Sequence, residues 1–184
     1  MISLDQNSDR GLMRLAAQRQ RYADAKSMFA SQLLLSGPVA MVSAFLSIQF
    51  PEIKGLAASW ALVVVLVDLF LLSPSQKRLR DEAARIQELF DCEVLDLPWN
   101  EVKAGKRPSP ELIKEQADRY KVWEHKMPPL RDWYASDVDS LPIHIGRIAC
   151  QRANCWWDAK QRRHFSIWVV IWVVTIFAAA ILYA

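Results

Sequence analysis

The stretch GLAASWALVVVLVDLFLL, residues 55–72, decides how this chain folds. It is apolar or small throughout, apart from one carboxylate, Asp68. At about 1.5 Å per residue, a helix of this length crosses a hydrocarbon layer about 30 Å thick. Two further runs, residues 29–50 and 165–184, carry no formal charge. In lipid the backbone must satisfy its own hydrogen bonds, so each run is expected to be a transmembrane helix. The 124 residues outside the three runs hold all 23 Lys and Arg and 19 of the 20 Asp and Glu. A mean hydropathy of +0.03 would suit an average soluble domain, but this segregation excludes one. A chain of 184 residues has too little other apolar surface to bury three such helices in a core. Only five glycines occur, with no Gly-rich loop, which excludes a dinucleotide fold or a P-loop. The first run is too long for a signal peptide and has no clear cleavage site beyond Ser36-Gly37-Pro38.

Lys and Arg counts set the orientation. Residues 1–28 carry five, the turn 51–54 carries one, and residues 73–164 carry seventeen. The positive-inside rule therefore puts the N-terminus and residues 73–164 in the cytoplasm. Trp60 and Phe50 suit the outer interface, and Trp156, Trp157, Trp168 and Trp172 the inner one. The expected organisation is a cytoplasmic N-terminal helix (1–28), a transmembrane hairpin (29–72, spans 29–50 and 55–72), a cytoplasmic helical region (73–164) and a third span (165–184). The last span has no polar flank after it, so the chain reads as a shortened form with a fourth span missing.

In the cytoplasmic part, Ser73-Pro74 should end or kink the second span. Leu79, Ala83, Ile86, Leu89 and Phe90 then recur at helical spacing. The alternation of Phe90, Cys92 and Val94 suggests an extended stretch, and residues 103–110 a polar loop. Ser109-Pro110 reads as N-cap and first residue of a helix running to about Lys126. A last helix should begin near Ser140 and run into the third span without a breaker after Gly146. The fold class is thus an all-α integral membrane protein: an N-terminal transmembrane hairpin, a cytoplasmic helical bundle with a short extended segment, and a long C-terminal helix entering a third span.

Few constellations carry chemistry. On a helical wheel, His144, Arg147, Gln151, Asn154, Asp158 and Arg162 share one sector. Ile145, Ile148, Ala149, Trp156 and Ala159 form an adjoining apolar face. Arg, Gln and Asn in a line can bind phosphate oxygens and base edges, and Trp faces can stack on bases. An interhelical polar network, or a solvated face near lipid headgroups, is the simpler reading of the same sector. Asp68 either lines a pore, pairs with a buried polar group or snorkels to the interface. Ser36, Ala40, Ser43, Ala44 and Ser47 form a small-residue stripe suited to close helix packing, and Pro38 should kink that helix. Cys92, Cys150 and Cys155, with His125, His144 and His164, lack metal-site spacing, and no metal or other cofactor is expected. No nucleophile–base motif supports an enzyme. The pI of 8.8 reflects the positive-inside bias, so DNA or RNA binding is not expected.

Several short motifs occur together. They are Gln6-Asn7; Leu15-Ala16-Ala17-Gln18-Arg19 with Tyr22 and Ala25-Lys26; Phe90-Asp91-Cys92; and Leu97-Pro98-Trp99-Asn100. Trp133-Tyr134, Leu141-Pro142, Cys150-Gln151-Arg152, Asn154 and Trp156-Trp157-Asp158 follow. In this order they resemble the SMODS-associating four-transmembrane effectors, a bacterial family, from Gln6 to the third span. The resemblance implies an effector of cyclic-oligonucleotide anti-phage signalling at the inner membrane. An associated nucleotidyltransferase would make the cyclic nucleotide after infection. The effector, as a homo-oligomer in the lipid bilayer, would sense it and damage the membrane. The residues expected to contact the cyclic di- or oligonucleotide are Arg147, Gln151, Arg152, Asn154 and Trp156. Those expected to serve the transmembrane response are Asp68, Ser36, Ser43 and Ser47. The alternative is a membrane scaffold without ligand gating, with Trp99, Trp123 and Trp133 as packing or interface anchors.

Overall fold

The computed structural model describes residues 1–183, with side chains through residue 178. Ala184, the end of the expected third span, lies outside the described residues. All regular structure in them is helical. Residues 5–131 form one compact unit, and residues 1–4 with 132–184 form another.

In the first unit, Ser8 caps α2 (Asp9–Leu34), its hydroxyl accepting from the Gly11 N–H. The helix continues through a π-turn (Leu35–Val39) into α3 (Ala40–Gln49). The chain reverses through a 3₁₀ turn (Pro51–Ile53), and α4 (Lys54–Val67) leads through a second π-turn (Asp68–Leu72) into α5 (Ser73–Val94). The result is two long helices, Asp9–Gln49 and Pro51–Val94, each long and apolar enough to cross a membrane. The expected break at Ser73-Pro74 and kink at Pro38 take a different form. Proline removes the i→i−4 donor and clashes with that carbonyl. Here Pro38 lies inside a π-turn and Pro74 comes two residues after one, so a widened turn takes up the missing bond and the helix goes on.

The core of this unit lies where α2 and α5 meet α7 (Pro110–Lys121). Ala16 and Ala17 of α2 let it approach Ile86 and Leu89 of α5 and Ile113, Ala117 and Tyr120 of α7, with Trp99 and Trp123 packed against them. Polar bolts flank this seam. Arg14 and Glu93 form a two-pronged pair between α2 and α5, and Gln18 donates to Gln87 at 2.8 Å. Arg21 meets Glu82 at 3.0 Å. Arg119 of α7 donates to both oxygens of Asp24 at 2.8 and 3.0 Å.

The expected extended segment is corrected: Phe90, Cys92 and Val94 belong to α5. The buried series Leu79, Ala83, Ile86, Phe90, Val94 keeps helical spacing to the end. The period-2 triple arises because Cys92 faces α5's own capping loop, its thiol 3.8 Å from the Pro98 carbonyl. The helix stops at Val94. Asp96 takes a left-handed φ of 50°, Leu97 N–H bonds the Cys92 carbonyl at 2.7 Å, and Asp96 N–H the Glu93 carbonyl. This is a Schellman closure with aspartate where glycine is usual. Within the expected polar loop, Asn100 caps a short α6 (Glu101–Ala104). Ser109 and Pro110 start α7 as expected, but α7 ends at Lys121 and a separate 3₁₀ turn covers Glu124–Lys126.

In the second unit, α8 (Ile143–Tyr183) is one helix of 41 residues, beginning three residues later than expected. Gly146 allows a 3₁₀ turn (Ser136–Ser140) to lie against it, since a Cβ there would sit 3.1 Å from the Val138 carbonyl oxygen. Asp139 of that turn accepts the N–H groups of Ile2 and Ser3 at 2.8 and 3.2 Å, at the start of α1 (Ile2–Gln6). The Ser3 hydroxyl, with these two N–H groups, holds the Asp139 carboxyl below the usual carboxylate range. A depressed folded pKa gives a contribution complete above about pH 4 and lost as pH falls through the lower folded value. Acidification through that window should lower the amide protection of Ile2 and Ser3 relative to their intrinsic exchange rates, and Asp139→Ala should lower it at neutral pH. Unchanged protection in Asp139→Ala would reject the cap.

Candidate functional site

The polar sector of α8 is built by helical periodicity. Arg147, Gln151 and Asn154 follow at spacings of four and three and share one side. Arg147 and Asn154 are half-buried and Gln151 is exposed. Asn154 donates its amide to the Tyr134 hydroxyl at 2.8 Å. Tyr134 itself is 2% exposed, which ties the helix to the segment before it. Further along, Asp158 and Arg162 pair at 2.8 Å. Arg152 and Trp156 do not join this side, because at about 100° per residue they point well away from it. The Trp156 and Trp157 rings meet edge to face at 4.9 Å, and the Lys160 ammonium lies 4.9 and 4.8 Å from their centroids. The expected apolar face is solvent-exposed at Ile145, Ile148 and Trp156, whereas Gly146 and Cys150 are buried.

The second set of candidates lies between the two long helices of the other unit. Gln32 of α2 donates its amide to the Asp68 carboxylate and, at 3.1 Å, to the Ser73 hydroxyl. Ser73 in turn donates to the other Asp68 oxygen at 3.3 Å. Asp68 therefore pairs with a polar group on the neighbouring helix. Gln32 went unnoticed in the sequence, although it is one of only two amides in the run 29–50. Both π-turns flank this knot, one starting at Leu35 and the other at Asp68. Ser36, Ser43 and Ser47 return their hydroxyl protons to the carbonyls of Gln32, Val39 and Ser43 at 2.8, 2.8 and 2.7 Å. Their donors are thus spent inside their own helix. The Arg14–Glu93 pair was also missed, since its members stand 79 positions apart.

Cys92 and Cys150 are buried and Cys155 is exposed, and all three are free thiols. Burial, then the Glu88 and Asp91 carboxylates, push the Cys92 thiol above its ordinary range, which keeps it protonated. No group of three or more His, Cys, Asp or Glu converges as a metal site among the described residues.

The family described as "SMODS-associating 4TM effector domain" matches residues 1–184. The chain is 28% identical over 167 residues to a probable CBASS effector molecule of Bacillus cereus strain VD146, covering 88% of this chain. It spans about half, 55%, of that relative's length. No solved structure matches. The family and the two long apolar helices agree on a membrane location.

Proposed function

The chain belongs to the SMODS-associating 4TM effector family, and from that premise we propose that it is a bacterial inner-membrane effector of anti-phage defence. A cyclic di- or oligonucleotide made by an associated nucleotidyltransferase binds its cytoplasmic region. A homo-oligomer of the chain then permeabilises the membrane and aborts the infection. The N-terminus and residues 73–164 face the cytoplasm, 29–72 cross as a hairpin, and 165–184 form a third span. The action is non-enzymatic.

One observation supports this reading above the others. Each of the two long helices carries the buried α2–α5–α7 core at one end and an apolar run at the other, with no loop between. A shift in the cytoplasmic bundle is therefore transmitted to the lipid-facing segment through a rigid element. A ligand drives such a shift only by binding one arrangement more tightly than the other. Arg147, Gln151, Arg152, Asn154 and Trp156 are the contacts proposed for the nucleotide. Asp68, Ser36, Ser43 and Ser47 serve the response of the spans.

Dye release from liposomes carrying the purified protein tests this directly, scanned over cyclic di- and trinucleotides beside a form extended by a further span. Release triggered by one nucleotide is the expected result. Release from the extended form alone would assign permeabilisation to the added span. No release from either, with insertion and oligomerisation verified, would overturn gating and leave a membrane scaffold.

A further inference from the structure

The loop between α6 and α7 is fixed by its own side chains. The Trp99 indole N–H bonds the Gly105 carbonyl at 3.0 Å. Gly105 turns the chain at a φ of 73°, a conformation that a side chain would strain. The Arg85 side chain passes close by, its Cδ 4.0 Å from where a Gly105 Cβ would stand. The Arg107 guanidinium lies over the Trp99 ring, 5.9 Å from its centroid. This arrangement opens a cleft of about 210 Å³ whose walls include Arg85, Lys106, Arg107, Ser109 and Leu112.

Three cations share this cleft, and among the described residues none of them is ion-paired with a carboxylate. The one carboxylate in its wall, Glu82, is engaged by Arg21 at 3.0 Å. Elsewhere in the same unit Arg14, Arg21 and Arg119 are each paired across helices. Three cations against the single carboxylate of Glu82, itself shared with Arg21, leave an excess of positive charge that a bound anion would relieve. Ser109 is the N-cap of the 12-residue α7, its hydroxyl accepting from the Leu112 N–H, and the helix turns its positive pole to this end. Arg supplies a planar fork and Lys a mobile point charge, the pairing that suits phosphate oxygens.

We infer that the Arg85–Lys106–Arg107 cleft is a binding site for a phosphate group. At about 210 Å³ it falls below the roughly 300–1,000 Å³ of pockets for drug-sized ligands, so it holds one phosphoryl or phosphodiester unit rather than a whole nucleotide. That phosphate could come from a soluble molecule or a lipid headgroup. Arg85 stands 12 residues along α5 from Ser73, about 18 Å at about 1.5 Å per residue. With the spans placed as above, this distance favours a soluble source. The site uses none of the α8 residues proposed for the nucleotide and does not depend on nucleotide gating.

The test is a titration of the full chain, in neutral nanodiscs, with sodium pyrophosphate, followed by Trp fluorescence and calorimetry. The expected result is saturable binding that Lys106→Glu/Arg107→Glu weakens by at least about tenfold, while Lys121→Glu on the far end of α7 leaves it intact. Equal weakening by Lys121→Glu would show diffuse charge attraction and overturn the site. Absence of saturation in the parent protein, with no vesicle binding that depends on Lys106 and Arg107, would overturn it as well, and so would saturation by the double variant at the parent's concentration. Binding of the parent, but not the double variant, to vesicles with anionic lipid, without pyrophosphate binding, would overturn the soluble source and assign the cleft to headgroups. Trp99→Phe, which removes the indole N–H holding Gly105, should weaken binding with the charges in place. None of these readings requires dye release, so failure of gating and failure of this site are separately visible.

Discussion

Arg147→Ala is expected to shift the nucleotide concentration for half-maximal dye release upward by about 10–100-fold, without loss of expression or insertion. A hydrogen bond to a charged group contributes about 1.5–3 kcal/mol, and this range sets the shift. Asn154→Ala should act similarly, and for it a structural cause is separable from a ligand contact. The Asn154 amide donates to the Tyr134 hydroxyl, so losing Asn154 also loosens the tie between α8 and the preceding segment. Tyr134→Phe removes the same hydrogen bond and leaves Asn154 in place. If Tyr134→Phe responds normally while Asn154→Ala does not, Asn154 touches the nucleotide. If both fail alike, the amide positions the helix. Normal dose dependence in Arg147→Ala and Asn154→Ala together would remove this face from the sensor.

Tyr120→Ala is expected to destabilise the three-helix core by about 3–5 kcal/mol, the loss typical of a large buried aromatic side chain. Tyr120 is 1% exposed. Its ring meets Trp123 edge to face at 4.9 Å and its hydroxyl accepts from Arg19 at 3.3 Å. Truncation leaves a void among α2, α5 and α7 that helices bolted by ion pairs cannot close. In urea the midpoint should fall by more than about 1 M. Tyr120→Phe keeps the ring and should cost far less. Val122, 78% exposed two positions on, provides the control. A midpoint for Tyr120→Ala no lower than for Val122→Ala would show that α7 is not part of the core.

Much of this organisation was legible because it rests on local chemistry. Charge segregation marked the long apolar helices, and Ser109-Pro110 marked the start of α7, since both are properties of adjacent residues. What escaped depends on distant partners. Arg14 and Glu93 are 79 residues apart, and Gln32 and Asp68 are 36 apart. No spacing rule joins them, because the join is made by the fold. The misreading of Phe90, Cys92 and Val94 had a different cause. Three alternating apolar residues outweighed a longer helical series, since a side chain facing a capping loop copies the pattern of a strand. At Pro38 and Pro74 the sequence correctly marked a disturbance, but not that a wider turn would absorb it. Of the expected nucleotide contacts, helical periodicity placed Arg147, Gln151 and Asn154 together. Arg152 and Trp156 were chosen for chemistry and stand on other sides of α8.

A π-turn is, in effect, one surplus residue wound into an α-helix. Downstream side chains are thereby advanced by about 100° around the axis. With one such turn in each long helix, the azimuth at which each apolar segment meets its surroundings is set independently of the core packing behind it. Excising Pro38, which removes the surplus residue and the proline together, would convert the first of these turns to plain α-helix. The outward face would swing by more than a quarter revolution while the core stayed aligned. The surplus residues thus act as a phase adjustment between two ends of the same rod, and relatives could retune it by single-codon length changes.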